Sequence, residues 1–209
     1  MKNLNRTSRL NAKLQKGMTL IELAIVGLFL GLLALFGISQ FSGSATDTTK
    51  AAGLYEASGK IADSWTLISQ TCGTAIDIAT SPISATPTAA ENLSVILGTA
   101  TPDTAYTSCF NQSGVRPLAG LTTGAAGAEA VYGYAVSAVN TAANPKKLAV
   151  TYAAVPEELI LALYNKYSSA AGAKAASALP ATADATDPQV QFAVKGAGTT
   201  RALTIVRPL

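Results

Sequence analysis

Apolar and polar positions divide this 209-residue chain into regions of different character. From Met18 to Ile38 almost every residue is apolar, and the run continues to Phe41 with one carboxylate, Glu22, near its start. Roughly 20 apolar residues are enough for a helix to cross a hydrocarbon core. A carboxylate there costs about 2.5–3.5 kcal/mol on insertion scales, so Glu22 needs a function or a partner. Gly27 and Gly31 form a GxxxG match, with Gly37 beyond. Small residues let helix backbones approach closely in an apolar medium, although Gly is frequent in spans in any case. Ser42-Gly43-Ser44 reads as a flexible joint. From Thr46 to Gln70 the pattern becomes amphipathic. Leu54, Ile61, Trp65 and Ile68 recur at helical steps with Ala57 and Ser58 between them, while Asp47, Lys50, Glu56, Lys60 and Asp63 fall elsewhere. Cys72-Gly73 ends this helix, Gly serving as the C-terminal cap.

Downstream, Thr74–Thr88 is rich in Ser, Thr, Ala and Pro and reads as loop. Thr88-Ala89-Ala90-Glu91 matches a capping box and opens a short helix through Leu97, closed by Gly98. Thr99–Gly127, which carries Cys109, is irregular. Ala130–Val139 alternates as one strand, Ala142-Ala143-Asn144-Pro145 turns it, and Lys147–Ala153 returns. Pro156-Glu157-Glu158 starts a helix with Leu159, Ile160, Leu163, Tyr164 and Tyr167 on its apolar face, and Gly172 stops it. A loop to Pro188 leads to a second hairpin, Gln189–Lys195 and Arg201–Arg207, around Gly196-Ala197-Gly198. The expected fold is therefore α+β: a long N-terminal helix, half hydrophobic and half amphipathic, packed on a mostly antiparallel sheet of about four strands with short helices. The expected segments are residues 1–17 as leader, 18–41 as hydrophobic helix, 42–72 as its amphipathic half and 73–209 as the globular domain.

Composition changes this picture in two respects. The sequence pI of 8.9 comes from the leader. Lys2, Arg6, Arg9, Lys13 and Lys16 lie there with no acidic residue, and without them ten basic residues face twelve acidic ones. Net charge gives no reason to infer a nucleic-acid partner. The basic flank is instead a positive-inside signal that keeps the N-terminus cytoplasmic and sends the rest outward. A secretory signal peptide has a shorter apolar core and a small-residue cleavage site after it, and Ser39-Gln40-Phe41-Ser42-Gly43 is a poor site of that kind. A plain single-span anchor explains the run and its flank, but neither Glu22 nor the Gly before the run. The two cysteines, Cys72 and Cys109, read as a disulfide in an exported domain, two buried thiols being the alternative. Such a bridge would stabilise by about 4 kcal/mol in the chain-entropy model.

Lys16-Gly17-Met18-Thr19-Leu20-Ile21-Glu22-Leu23 and the run behind it resemble the type IV pilins and their pseudopilin relatives. In that family a membrane peptidase cuts after the leader Gly, the new N-terminal residue is methylated, and a Glu follows at the fifth mature position. The resemblance implies cleavage between Gly17 and Met18, N-methylation of Met18, and Glu22 as the assembly carboxylate, fifth from Met18. Met18 in place of the usual Phe, with a leader longer than the shortest in the family, resembles the type IVb branch. The match is specific from about Lys13 to Gln70; beyond that only the order of elements is similar, and the family's C-terminal cysteine loop has no counterpart here.

The resemblance implies a pilus subunit that partners with itself in a helical homopolymer, with prepilin peptidase, with the inner-membrane assembly machinery and, through residues 18–41, with the membrane. Its expected location is the bacterial inner membrane and then the extracellular pilus. Alternatives are a minor pilin or secretion pseudopilin, and, from a different class, a membrane-tethered binding domain that never polymerises. Enzymatic activity is not expected. With no His in the chain, a hydrolase triad of the usual kind cannot form. Glu157-Glu158 suits a helix start better than acid–base catalysis, and Gly124–Gly127 and Gly196–Gly198 lack a phosphate-loop Lys. Two thiolates without His are half a zinc ligand set, so no metal, cofactor or catalytic residue is assigned. Asn92-Leu93-Ser94 matches a glycosylation sequon by chance within the expected short helix.

Overall fold

The computed structural model describes residues 49–209 except 117, 119–121, 171, 174–175 and 196–197. The chain divides into two units, Met1–Ala45 and Thr46–Leu209, and every described residue belongs to the second. This unit is α+β, built from an antiparallel sheet and helices.

Residues 49–72 form α1. Its stripe is buried as the periodicity requires: Leu54, Ala57, Ser58, Ile61, Trp65 and Ile68 are all inaccessible, while Lys50, Glu56, Lys60 and Asp63 are exposed. Gly73 ends the helix at φ 62°, and the next N–H, from Thr74, returns to the Ser69 carbonyl at 3.0 Å. Only a residue without Cβ adopts that left-handed cap freely. Two glycines inside α1 differ in purpose. A Cβ on Gly53 would stand 2.8 Å from the Tyr132 ring, so the ring needs that bare backbone. A Cβ on Gly59 would stand 3.7 Å from the Arg207 guanidinium, an ordinary contact. Gly59→Ala is thus expected to stabilise the domain by about 0.5–1 kcal/mol through helix propensity, read as a higher urea midpoint with an unchanged slope.

Helix α2 (Ala89–Leu97) starts where Thr88 Oγ1 accepts from the Glu91 N–H at 3.2 Å and ends at Gly98, φ 81°. Helix α3 (Thr107–Gln112) follows and carries Cys109. Then come β1 (Thr122–Thr123), β2 (Ala130–Val131), β3 (Tyr134–Thr141), β4 (Asn144–Pro156), α4 (Glu157–Tyr167), β5 (Val190–Phe192) and β6 (Thr200–Pro208). The sheet has six strands in the order β1-β2-β3-β4-β6-β5, each pair antiparallel. Leu148, Val150 and Tyr152 of β4 and Leu203 and Ile205 of β6 are buried. Tyr152 donates its hydroxyl to the Leu54 carbonyl of α1 at 3.1 Å, and Tyr164 of α4 meets Phe192 of β5 edge-on at 5.4 Å. These contacts put α1 and α4 on the same face of the sheet. On the other face, Thr151 and Thr204 join hydroxyls at 2.9 Å.

Several sequence expectations are corrected. The single strand expected over Ala130–Val139 is two strands, because Tyr132 and Gly133 both take positive φ, 53° and 83°, and fold β2 onto β3. Positive φ at both positions is what tight hairpin turns require, but Tyr is not a residue that announces it. The stretch Thr99–Gly127, expected to be irregular, contains α3 and β1. Helix α3 has no buried residue, so it leaves no apolar periodicity to read. With β1 and β2 added, the sheet exceeds the expected four strands. The β3–β4 connection is the two residues Ala142-Ala143, since Thr141 pairs with Asn144, and the surplus appears as a register shift beside Asn140. Helix α4 stops at Tyr167, ahead of Gly172, where Ser168 turns extended.

Candidate functional site

The residues that carry the assembly reading, Gly17, Met18 and Glu22, lie outside the described residues, as do the run 18–41, the pair Gly27 and Gly31, and the Ser42–Ser44 joint. Among the described residues no helix is long and apolar enough to cross a membrane. What the domain does display is how it holds α1, the segment leading out of that region.

Three devices grip α1. The first is the buried stripe. Trp65 is inaccessible and donates its indole N–H to the Ile76 carbonyl at 2.7 Å, so its polar atom is satisfied inside the core. The second is a stack. The Arg207 guanidinium of β6 lies 3.5 Å from the Tyr55 ring, and the other face of Tyr55 stacks on Tyr167 of α4 at 3.5 Å. Arg207 also donates to Ser58 Oγ at 3.0 Å and to the Tyr55 carbonyl. A planar cation suits both roles: its face packs on an aromatic ring while its edge bonds. The third is the disulfide. Cys72, the last residue of α1, is joined to Cys109 of α3, with Cα atoms 5.2 Å apart across 37 residues of chain.

Two buried carboxylates tie loops, and neither is in an ion pair among the described residues. Asp187 accepts from Ser168 Oγ at 2.6 Å and from the N–H groups of Ser169, Gln189 and Val190, each at 2.9 Å. Burial alone would raise its pKa, but the Ser168 hydroxyl and these amides outweigh it and hold the group at about 2. It pins the end of α4 to the start of β5. Glu129 is likewise buried: Oε1 accepts from the Thr99 hydroxyl at 2.5 Å and from the Gly127 N–H at 3.2 Å. Its burial is outweighed by hydroxyls of Ser94 and Thr99, so it too stays below the usual carboxylate range.

A folded-state pKa below the unfolded one contributes stability above the unfolded value and loses it as pH falls through the folded value. For Asp187 that window runs from about 3.8 down to about 2, and the contribution is about 2 kcal/mol. Asp187→Asn is expected to lower stability at pH 7 by roughly that amount, with the gap to the unsubstituted chain closing as pH drops from 4 towards 2. Urea titrations at several pH values check it; a gap that stayed constant with pH would contradict the ionised role.

A cleft of about 270 Å³ beside the start of α4 is lined by Pro156, Glu157, Glu158 and Leu161. Glu157 Oε1 receives Arg201 Nε at 2.8 Å and Oε2 receives Lys195 Nζ at 3.1 Å. Arg201 first, then Lys195, holds this carboxyl below its ordinary pKa, which makes it an ion-pair partner and a poor proton donor near neutrality. Among the described residues no group of three or more His, Cys, Asp or Glu stands together to hold a metal ion.

Sequence reading missed the role of Asn92. Its side chain is inaccessible: Oδ1 accepts from the Ser84 N–H at 2.9 Å, and Nδ2 donates to the carbonyls of Ile78 and Ser81, both at 2.7 Å. Both of its polar atoms are engaged by the 78–84 loop, and its full burial leaves no access for a glycan in the folded domain. Asp187 was missed as well, although the Asp184-Ala185-Thr186-Asp187-Pro188 cluster is a turn signal that could have drawn notice. No family model, no curated protein and no solved structure matches this chain.

Proposed function

We propose that this chain is the structural subunit of a type IV pilus, inserted in the inner membrane through residues 18–41, cut between Gly17 and Met18 by prepilin peptidase, methylated at Met18, and polymerised through its N-terminal helix into an extracellular filament. The observation that carries the reading is the register of Gly17, Glu22 and the apolar run in one segment. A bare membrane anchor requires the run alone.

The reading includes the finer fold expectation, a helix whose hydrophobic half is 18–41 and whose amphipathic half continues into α1. The amphipathic stripe of α1 supports it, because that stripe is consumed by the domain's own core. In this reading the apolar segment ahead of that helix is left for the membrane and the filament. The domain's polar clusters favour a scaffold for the same reason: Asn92, Asp187 and Arg207 are each engaged in tying elements together.

Intact-mass analysis of the chain recovered from sheared surface material, with electron microscopy of the same preparation, tests the proposal. The expected result is a mature chain that begins at methylated Met18 and builds thin fibres. A chain beginning elsewhere, or remaining uncut in the membrane with no fibres, would overturn it in favour of the tether.

A further inference from the structure

Four large apolar side chains stand exposed among the described residues, and two of them lie at opposite ends of the domain. At one end of the sheet Thr200 pairs with Pro156; at the other Pro208 pairs with Lys147. Val194, 62% exposed, belongs to the first end: the preceding residue, Ala193, bonds to the Ala202 carbonyl at 3.0 Å, and the following one, Lys195, reaches Glu157. Leu67, 47% exposed, belongs to the second. Its neighbour Trp65 bonds to the Ile76 carbonyl, which also accepts from Asn140, and Asn140 pairs with Leu148 beside Lys147.

Leu67 is part of a notch of about 240 Å³ shared with Val115, which follows the disulfide-bonded α3, and rimmed by Lys60, Asp63 and Arg116. The charges at the two ends are complementary. At the Val194 end stand Lys195, half exposed and paired with Glu157, and the exposed Glu158, which follows Glu157 at the start of α4. Around the notch stand exposed Lys60 and Arg116 with one carboxylate, Asp63. An apolar knob with an exposed carboxylate at the same end thus faces one way, and an apolar hole with a mainly basic rim the other.

We infer that Val194 of one copy seats in the Leu67–Val115 notch of the next, with Glu158 facing Arg116 and Lys60, and Lys195 facing Asp63. The partner is a second copy of this chain. The contact is heterologous, since knob and hole are different surfaces, and a heterologous contact that does not close into a ring propagates. Burial of Val194 against Leu67 and Val115 supplies attraction without direction, and the charge pattern fixes which way round the copies meet. This deepens the filament reading and rests on its premise that copies of this chain assemble.

The test uses the full-length chain with Leu67→Cys and Val194→Cys together, treated with a short bis-maleimide; the native cysteines are already joined to each other and stay silent. The expected result is a ladder of covalent multimers from the double variant and no ladder from either single one. Glu158→Lys and Arg116→Glu, each added to the double variant, are expected to lower the ladder by roughly two- to fivefold, the weight of an exposed ion pair, and to restore it when combined. Absence of a ladder, or equal dimer yield from Leu67→Cys alone, overturns the inference. Fibres and cleavage after Gly17 are scored in the same samples. Normal fibres with no ladder remove this contact and leave the filament reading standing. A ladder without fibres or cleavage keeps the contact and removes that reading.

Discussion

Asn92→Ala is expected to lower the stability of the domain by about 4 kcal/mol, the largest single loss anticipated at a polar side chain of the described residues. The amide makes three hydrogen bonds in a fully inaccessible position, one accepted from Ser84 and two donated to Ile78 and Ser81. Truncation leaves one N–H and two carbonyls without their partner, and each such buried group costs roughly 1–3 kcal/mol. The loop cannot easily turn these groups to water, because Ile78 and Ile83 between them are inaccessible core residues. Asn92→Asp keeps the shape but replaces the donating amide by an oxygen facing two carbonyls, so it is expected to be about as harmful at neutral pH. Asn92→Ser, short of all three partners, should resemble Ala. Urea unfolding followed by Trp65 fluorescence measures the effect, since the indole donates to Ile76 near the same loop. A loss below about 1 kcal/mol would mean that the loop reorganises around other donors.

Glu22→Ala and Glu22→Gln are expected to abolish or nearly abolish fibres while leaving cleavage and membrane insertion intact. On the proposed filament reading, cleavage after Gly17 would create a positive amine at Met18. On that reading the amine and the Glu22 carboxylate would both lose water as a subunit left lipid for a filament core, and either charge alone would be costly to bury. Paired, Glu22 of an incoming subunit with Met18 of one already assembled rather than within one subunit, they would offset much of that cost and set the axial register. Attraction grows in a low-dielectric core, although desolvation cancels part of it. The Gln variant keeps shape and hydrogen bonding and removes only charge; the Ala variant removes both. Fibre counts against membrane-fraction immunoblots check the prediction. Normal fibre yield from Glu22→Ala would show that charge does not guide docking and would favour the tether.

Parts of the fold that depend on neighbouring residues were legible in the sequence. The stripe Leu54–Ile61–Trp65–Ile68 reads as one helix face, and the structure buries it without exception. Thr88 and Gly98 announce the ends of α2, and Pro156-Glu157-Glu158 announces the start of α4, because caps and helix dipoles act within a turn. Gln189–Lys195 and Arg201–Arg207 read as a hairpin, and β5 (Val190–Phe192) pairs antiparallel with β6 (Thr200–Pro208). The cysteines were expected to pair from their number and the export signal, and Cys72 and Cys109 stand at bonding distance.

What the tertiary structure decided involves groups far apart in the chain. The sheet places β6 between β4 and β5, and the residues of β4 do not name Ile205 as the partner of Val150, since many apolar strands would pair equally well. Tyr132 takes a left-handed turn that its side chain disfavours; its ring, lying on the bare backbone of Gly53, shows the tertiary setting of that turn. Asn92 looked like an accidental sequon because the carbonyls it serves lie 11 and 14 residues earlier in a loop without periodicity. Asp187 became a buried anion only where the end of α4 and the start of β5 brought a hydroxyl and three amides to one point. Gly17, Met18 and Glu22 rest on sequence alone, since their pattern is read along the chain. The hold on α1 by Arg207, Tyr55 and Tyr167 required the fold, because Tyr55 lies more than a hundred residues from both of its partners and stacks with them only after the sheet has closed over the helix.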